Sequence, residues 1–189
     1  AKLRVIKKDS DTKQTVLVPN AEFKIFNLDK NEYVTQYTTY PSKVKHTSFF
    51  TDEDGDLILP EALKIGNYRI EEVKAPFGYV VNDNYINISV DTDTAFETDG
   101  DTNDAIITVE YSDAPAVGEL TVEKKGEVLD GFKGGLFANS EDKEFVYKEG
   151  SLAGAVFKVY AAEDIFTADN QKDADGNRTK YYSKGDIAA

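Results

Sequence analysis

An amine and two carboxyls stand where strand alternation calls for apolar side chains. In the opening KLRVIKKD, Leu3, Val5 and Lys7 share one face. In YRIEEVKAPFGY, residues 68–79, Tyr68 and Ile70 share a face with Glu72, while Arg69 and Glu71 point the other way. In residues 105–113, Ile107, Val109 and Tyr111 line one face, and the same parity carries Asp113 onto it. Burial disfavours the charged form of an amine and of a carboxyl alike. A buried charge is costly unless partnered. On the residues alone, two other readings stand. Lys7 fits an edge-strand lysine that snorkels its ammonium into water, and Glu72 fits an ion pair with a neighbour such as Lys74.

The elements that must carry these residues are strands. Short alternating segments separated by turn signals argue for an all-β sandwich or barrel. Residues 21–25 alternate Ala21, Phe23 and Ile25 with Glu22 and Lys24, and 33–40 is rich in Thr, Tyr and Val. A short strand at 47–51 leads into TDEDG, and 57–59 resumes before a single helical turn expected at 60–63. Pro76 and Gly78 end the central strand in a turn. Residues 85–90 alternate again, and the acidic 91–104 predicts a long exposed hairpin.

A repeat divides the chain. Leu120, Val122 and Lys124 echo Leu3, Val5 and Lys7, and GAVFKVYA at 154–161 echoes NAEFKIFN at 20–27. The Ala-Pro-Ala-Val-Gly run at 114–118 reads as a linker. Two domains are therefore expected: residues 1–115, then 116–189 as the N-terminal part of an incomplete second copy with an insertion at 126–150. That copy stops before any counterpart of YRIEEVKAPFGY, so it is expected to be partly open or to borrow strands.

Composition narrows the function. The 189 residues carry a net charge of −13, which argues against nucleic acid, whose phosphates require basic stripes. With no Cys the chain is without disulfides, and with one His and no Gly-x-Ser-x-Gly it gives no support to a hydrolase. No apolar run is long enough to span a membrane. The absence of Met leads us to expect an excised or processed fragment, in which a missing targeting signal says nothing of the parent.

LRVIKKDSDT, NAEFKIF, and TDEDG followed by GNYRIEEVKAPFGY, in that order, resemble the Cna B-type, or SpaA-like, prealbumin-fold domain of Gram-positive surface proteins. The resemblance covers 1 to about 115, then begins again at 118 and is cut off. It implies a prealbumin-like (Ig-like, transthyretin-like) β-sandwich. It also implies that a first-strand Lys and a last-strand Asn or Asp condense into an intramolecular isopeptide bond promoted by a buried Glu. Carried onto this chain, these are Lys7, Asp113 and Glu72. Where many members end in VxN or FxN, this chain has Val109-Glu110-Tyr111-Ser112-Asp113, with Asp as the acceptor in place of Asn. Glu71 is the rival promoter, placed outside by parity. Lys124 is the corresponding reactive lysine of the second copy, without a partner in this chain, and Lys125 is its neighbouring alternative.

The resemblance further implies an extracellular, wall-attached stalk or spacer of an adhesin or pilus, non-enzymatic apart from its own maturation. Its partners would be neighbouring repeats and, through other domains, a host matrix protein or glycan. The alternative is a ligand-binding module, for which solvent-exposed Phe132, Phe137, Phe145 and Tyr147 would speak. No cofactor or metal is expected. Asp52, Asp54 and Asp56 fail the EF-hand order because Gly55 interrupts it and no Glu follows at the required place. Asp169, Asp173 and Asp175 before Gly176 read as a turn, and His46 as a surface residue. Tyr40-Pro41-Ser42-Lys43 faintly resembles a sortase-used lysine motif but lacks its surroundings, and Leu59-Pro60-Glu61-Ala62-Leu63 lacks the Thr-Gly of a sorting signal.

Overall fold

Strand alternation holds in the first element. In β1 (Lys2–Asp9) Leu3, Val5, Lys7 and Asp9 are all buried, and the residues between them are half-covered. The computed structural model describes residues 1–134 and 144–189. After β1 come β2 (Glu22–Asn27), β3 (Glu32–Tyr33), β4 (Gln36–Thr38), β5 (Val44–His46), β6 (Phe49–Phe50), β7 (Asp56–Ile58) and β8 (Gly66–Lys74). The series continues with β9 (Tyr79–Val80), β10 (Ile86–Val90), β11 (Glu97–Thr98) and β12 (Ala105–Pro115).

These strands form an all-β sandwich. One sheet runs β11-β12-β1-β7, with β9 on β12, and the other runs β10-β8-β2-β3, with β6 on β2. β4 and β5 make a separate ribbon. The first and last strands, β1 and β12, pair in parallel, with Lys7 opposite Tyr111 and Asp9 opposite Asp113. Between the sheets lie Leu3, Val5, Phe23, Ile25, Leu57, Leu59, Tyr68, Ile70 and Tyr111. Each fills the face that alternation gave it.

Two local expectations change. The strand expected over 33–40 is divided between β3 and β4. The helical turn expected at 60–63 is absent, because its backbone donors go elsewhere: Glu61 N–H to Gln36 Oε1 at 2.9 Å and Leu63 N–H to the Ala1 carbonyl at 2.9 Å.

The first compact unit comprises Ala1–Ala116 together with Asp164–Ser183. The unit is thus discontinuous in sequence, with residues 164–183 joining the first segment. Those residues hold the short ribbon β15 (Ile165–Phe166) and β16 (Lys180–Tyr182). In the second unit, Val117–Glu163 with Lys184–Ala189, β13 (Lys125–Lys133) pairs antiparallel with β14 (Glu144–Ser151) among the described residues. The repeated segments at 120–124 and 155–159 form no strand. In the first unit their counterparts β1 and β2 pair with β12 and β8.

Gly55 closes the turn into β7 with φ of +81°, and a Cβ there would lie 2.3 Å from the Val16 carbonyl oxygen. Both the left-handed backbone and the backbone contact exclude a side chain. Gly55→Ala is expected to destabilise the unlinked domain by about 2 kcal/mol or more, measured by urea unfolding in a Lys7→Ala background.

Candidate functional site

β1 and β12 bring Lys7 and Asp113 together within one sheet, and β8 brings Glu72 from the opposite sheet. All three side chains are fully shielded from solvent. Lys7 Nζ lies 2.7 Å from Glu72 Oε1 and is also in contact with Asp113 Oδ1. None of these atoms makes a contact with hydrogen-bond angles, and no other group bonds Asp113 Oδ1 or Oδ2. The amine therefore sits against both carboxyls by distance and charge, with its directional bonding unspent.

Aromatic rings wall the amine. Lys7 Nζ is 4.7 Å from the Tyr111 ring centroid and 5.6 Å from that of Phe23, and the two rings meet edge to face at 5.1 Å. Such faces attract an ammonium yet exclude water. The Tyr111 hydroxyl donates to the Asn82 and Asn84 carbonyls. Asn82 N–H in turn donates to Glu72 Oε2 at 3.1 Å, and Asn82 Nδ2 to the Ser112 carbonyl at 2.8 Å. The 82–84 loop thus aims Glu72's other oxygen at Lys7 and ties that loop to β12. Sequence reading missed Phe23, Tyr111 and Asn82 as site residues. Phe23 and Tyr111 look like ordinary core positions, and a backbone N–H donor leaves no mark in side-chain types.

Glu71 faces away from Lys7, as parity requires, but it is buried and not in open solvent. Arg69 Nε donates to its Oε1 at 2.7 Å and the Tyr33 hydroxyl to its Oε2 at 2.9 Å, an outer-face network that closes over it. Lys74 is exposed, and Glu72's cationic neighbour is Lys7. The turn acids are occupied: Asp52 Oδ1 accepts Asp54 N–H at 2.9 Å, and Asp56 pairs with Arg4. Asp169 departs from its expected role as a plain turn residue, since it is buried. His46 bonds Thr38 Oγ1 at 3.0 Å. Lys124 is exposed in the second unit. Phe132, Phe145 and Tyr147 are 57%, 55% and 55% exposed, and Phe137 lies outside the described residues.

Burial is the largest influence on Asp113 and pushes its carboxyl up to about 7. The Lys7 ammonium pulls it back down and Glu72 pushes it up. With all three groups ionised the cluster holds one net negative charge in a dry site. One added proton neutralises it. That proton arrives as Asp113 titrates.

The SpaA prealbumin-like fold domain model matches residues 1–105. The chain belongs to this family. No curated protein matches it. Among solved structures, it resembles the group B streptococcus pilus 2b backbone protein at 23% identity and TM-score 0.45, over 60% of this chain and 40% of that one. The minor pilin of Streptococcus agalactiae gives 12% identity and TM-score 0.47, over 65% and 48%. The shaft pilin of Lactobacillus rhamnosus GG gives 21% and 0.43, over 64% and 47%. The chain spans less than half the length of each of these pilins. In the SpaA-like domain here, the family match covers β1 and β8, which bear Lys7 and Glu72. It ends at the first residue of β12, so Asp113 lies beyond it.

The electrostatics set a pH direction. An acid whose pKa rises on folding from 3.8 to about 7 favours the folded state at low pH, and that contribution is lost as pH rises through 7. With the Asp113 carboxyl free, unfolding free energy measured in urea is expected to fall as pH is raised from about 4 to about 8.

Proposed function

We propose that this chain is a structural module of a Gram-positive pilus or surface adhesin, stiffened by an autocatalytic isopeptide bond between Lys7 and Asp113 with Glu72 as promoter. The observation that carries the reading is the burial of one amine on β1 against two carboxyls on β8 and β12, with no hydrogen bond spent on the amine. In the neutral state Lys7 Nζ attacks Asp113 Cγ. The Nζ–Cγ bond forms, Glu72 takes a proton from nitrogen and returns one to the departing oxygen, and one water leaves. No oxidant or cofactor enters the balance. The fold supplies proximity, so the reaction is a single turnover within one molecule.

A bond from β1 to β12 would join the first and last strands of the sandwich. By analogy with disulfides, closing a loop on the order of 100 residues stabilises by about 4–5 kcal/mol in the chain-entropy model. Under load or protease the kinetic gain is larger, because neither end strand can peel away. A stalk without Cys has use for such a link. We assign the wall surface as its location on the same reading, and neighbouring modules as its partners. Residues 118–161 read as the opening of a second such domain, in which Lys124 holds the place of Lys7.

A ligand-binding role is the second reading. It is favoured by the Phe132–Phe145 stack, centroids 5.0 Å apart, with Tyr147 beside it on an exposed hairpin. Binding to a panel of matrix proteins and glycans that is lost in Phe145→Ala would support it.

The structural reading predicts that the full chain is one water lighter than its sequence. Lys7→Ala, Asp113→Ala and Glu72→Ala are each expected at full mass, with unfolding free energy lower by about 4 kcal/mol or more. Intact mass and urea unfolding check both. A wild-type chain at full mass refutes the bond.

A further inference from the structure

Residues 164–183 are remote in sequence from β1, yet they are bonded to the loop that follows it. Leu17 N–H donates to the Asp169 carbonyl at 2.8 Å, and Gln171 Nε2 donates to the Thr15 carbonyl at 2.7 Å. Thr12 Oγ1 donates to Asp169 Oδ2 at 2.9 Å. Asp169 is 1% exposed, and its other oxygen accepts from Thr167 Oγ1 at 2.6 Å and from Gln171 N–H at 3.1 Å. Its carboxylate is thus a fully bonded pin and not an idle turn residue.

The loop that receives this pin holds both reacting residues by their backbones. Val16 N–H donates to the Lys7 carbonyl at 2.9 Å, and Ser10 N–H donates to the Asp113 carbonyl at 2.7 Å. The turn itself is fixed by buried Asp9. Asp9 Oδ1 accepts Asp11 N–H at 2.7 Å and Thr12 N–H at 2.9 Å, and Oδ2 accepts the Tyr79 hydroxyl at 2.7 Å. A continuous set of bonds therefore runs from Asp169, through Thr12 and Leu17, to the backbones of Lys7 and Asp113.

We infer that residues 164–183 form a strap whose Asp169 is a positioning residue for the Lys7–Asp113 condensation, acting through Thr12 and the 9–17 loop. The inference rests on the isopeptide reading given above. The strap touches neither reacting atom. It fixes the relative height of the two strand ends, on which the approach of Nζ to Cγ depends. Small misplacements of reacting groups cost large factors in rate.

The test is the rate of water loss in newly synthesised full-length chain, followed by intact mass. Thr12→Val and Asp169→Ala are expected to slow the reaction about tenfold or more, while Thr12→Ser, which keeps the hydroxyl donor, retains the wild-type rate. Val90→Ala, in the other sheet and away from the strap, is the control for stability. A purely structural strap would slow no more than this variant at equal loss of Tm. Equal rates in wild type, Thr12→Val and Asp169→Ala would overturn the inference while leaving the bond intact. A wild-type chain that never loses water would overturn the bond and the strap's role together. Should Asp169→Ala fail to fold, Thr12→Val against Thr12→Ser decides the matter alone.

Discussion

One amine enclosed with two carboxyls between two sheets is the constraint on which the rest of this domain turns. A dry interior tolerates such a group only when charge is balanced and water is kept out. Lys7 faces Glu72 across the sandwich and Asp113 along its own sheet, which partners the amine but leaves one carboxylate in excess. Three charges with one net negative are an unstable arrangement in low dielectric. The system relieves it by taking up a proton, and, on the proposed reading, by condensing to a neutral amide that removes two ionisable groups.

The surrounding architecture follows from that need. Parallel pairing of β1 with β12 puts the chain's first and last sandwich strands side by side, so a link between them spans nearly the whole domain. Phe23 and Tyr111 exclude solvent from the amine without offering it a competing acceptor. The backbone of Asn82 binds one oxygen of Glu72 and leaves the other for Lys7. Outside this cage, Asp9 and Asp169 are buried carboxylates of the opposite kind, saturated with hydrogen bonds and silent chemically. Asp113 differs from them in that neither of its oxygens has a hydrogen-bond donor.

Much of this was legible in the sequence because strands alternate. Parity alone put Lys7, Glu72 and Asp113 on apolar faces, and the turn residues at Gly55 and Pro76 marked where strands end. The legible part stopped where geometry depends on backbone groups or on distant segments. Asn82 acts through its amide N–H, which every residue but proline possesses. Glu71 lies on the outer face, but its enclosure there comes from Arg69 two residues earlier on β8 and from Tyr33 on β3, contacts that an alternation of faces does not weigh. Asp169 read as one acid in a polar turn, since nothing local tells that its segment returns to β1. The second copy shows the reverse. Its strand-like sequence at 120–124 and 155–159 has β propensity, yet its backbone bonds among the described residues are isolated ones, Leu152 N–H to the Lys124 carbonyl and Val159 with Ala188 and Ala189, and without an extended ladder neither segment is a strand.

The central claim is a covalent bond between two named side chains, and fragmentation of a proteolytic digest of the full-length chain tests it most directly. The account predicts a branched peptide in which the segment bearing Lys7 is joined through its side chain to the segment bearing Asp113, one water lighter than the two together. Recovery of both segments as separate, unmodified peptides, or a branch mapped to another acid such as Glu72, would contradict it.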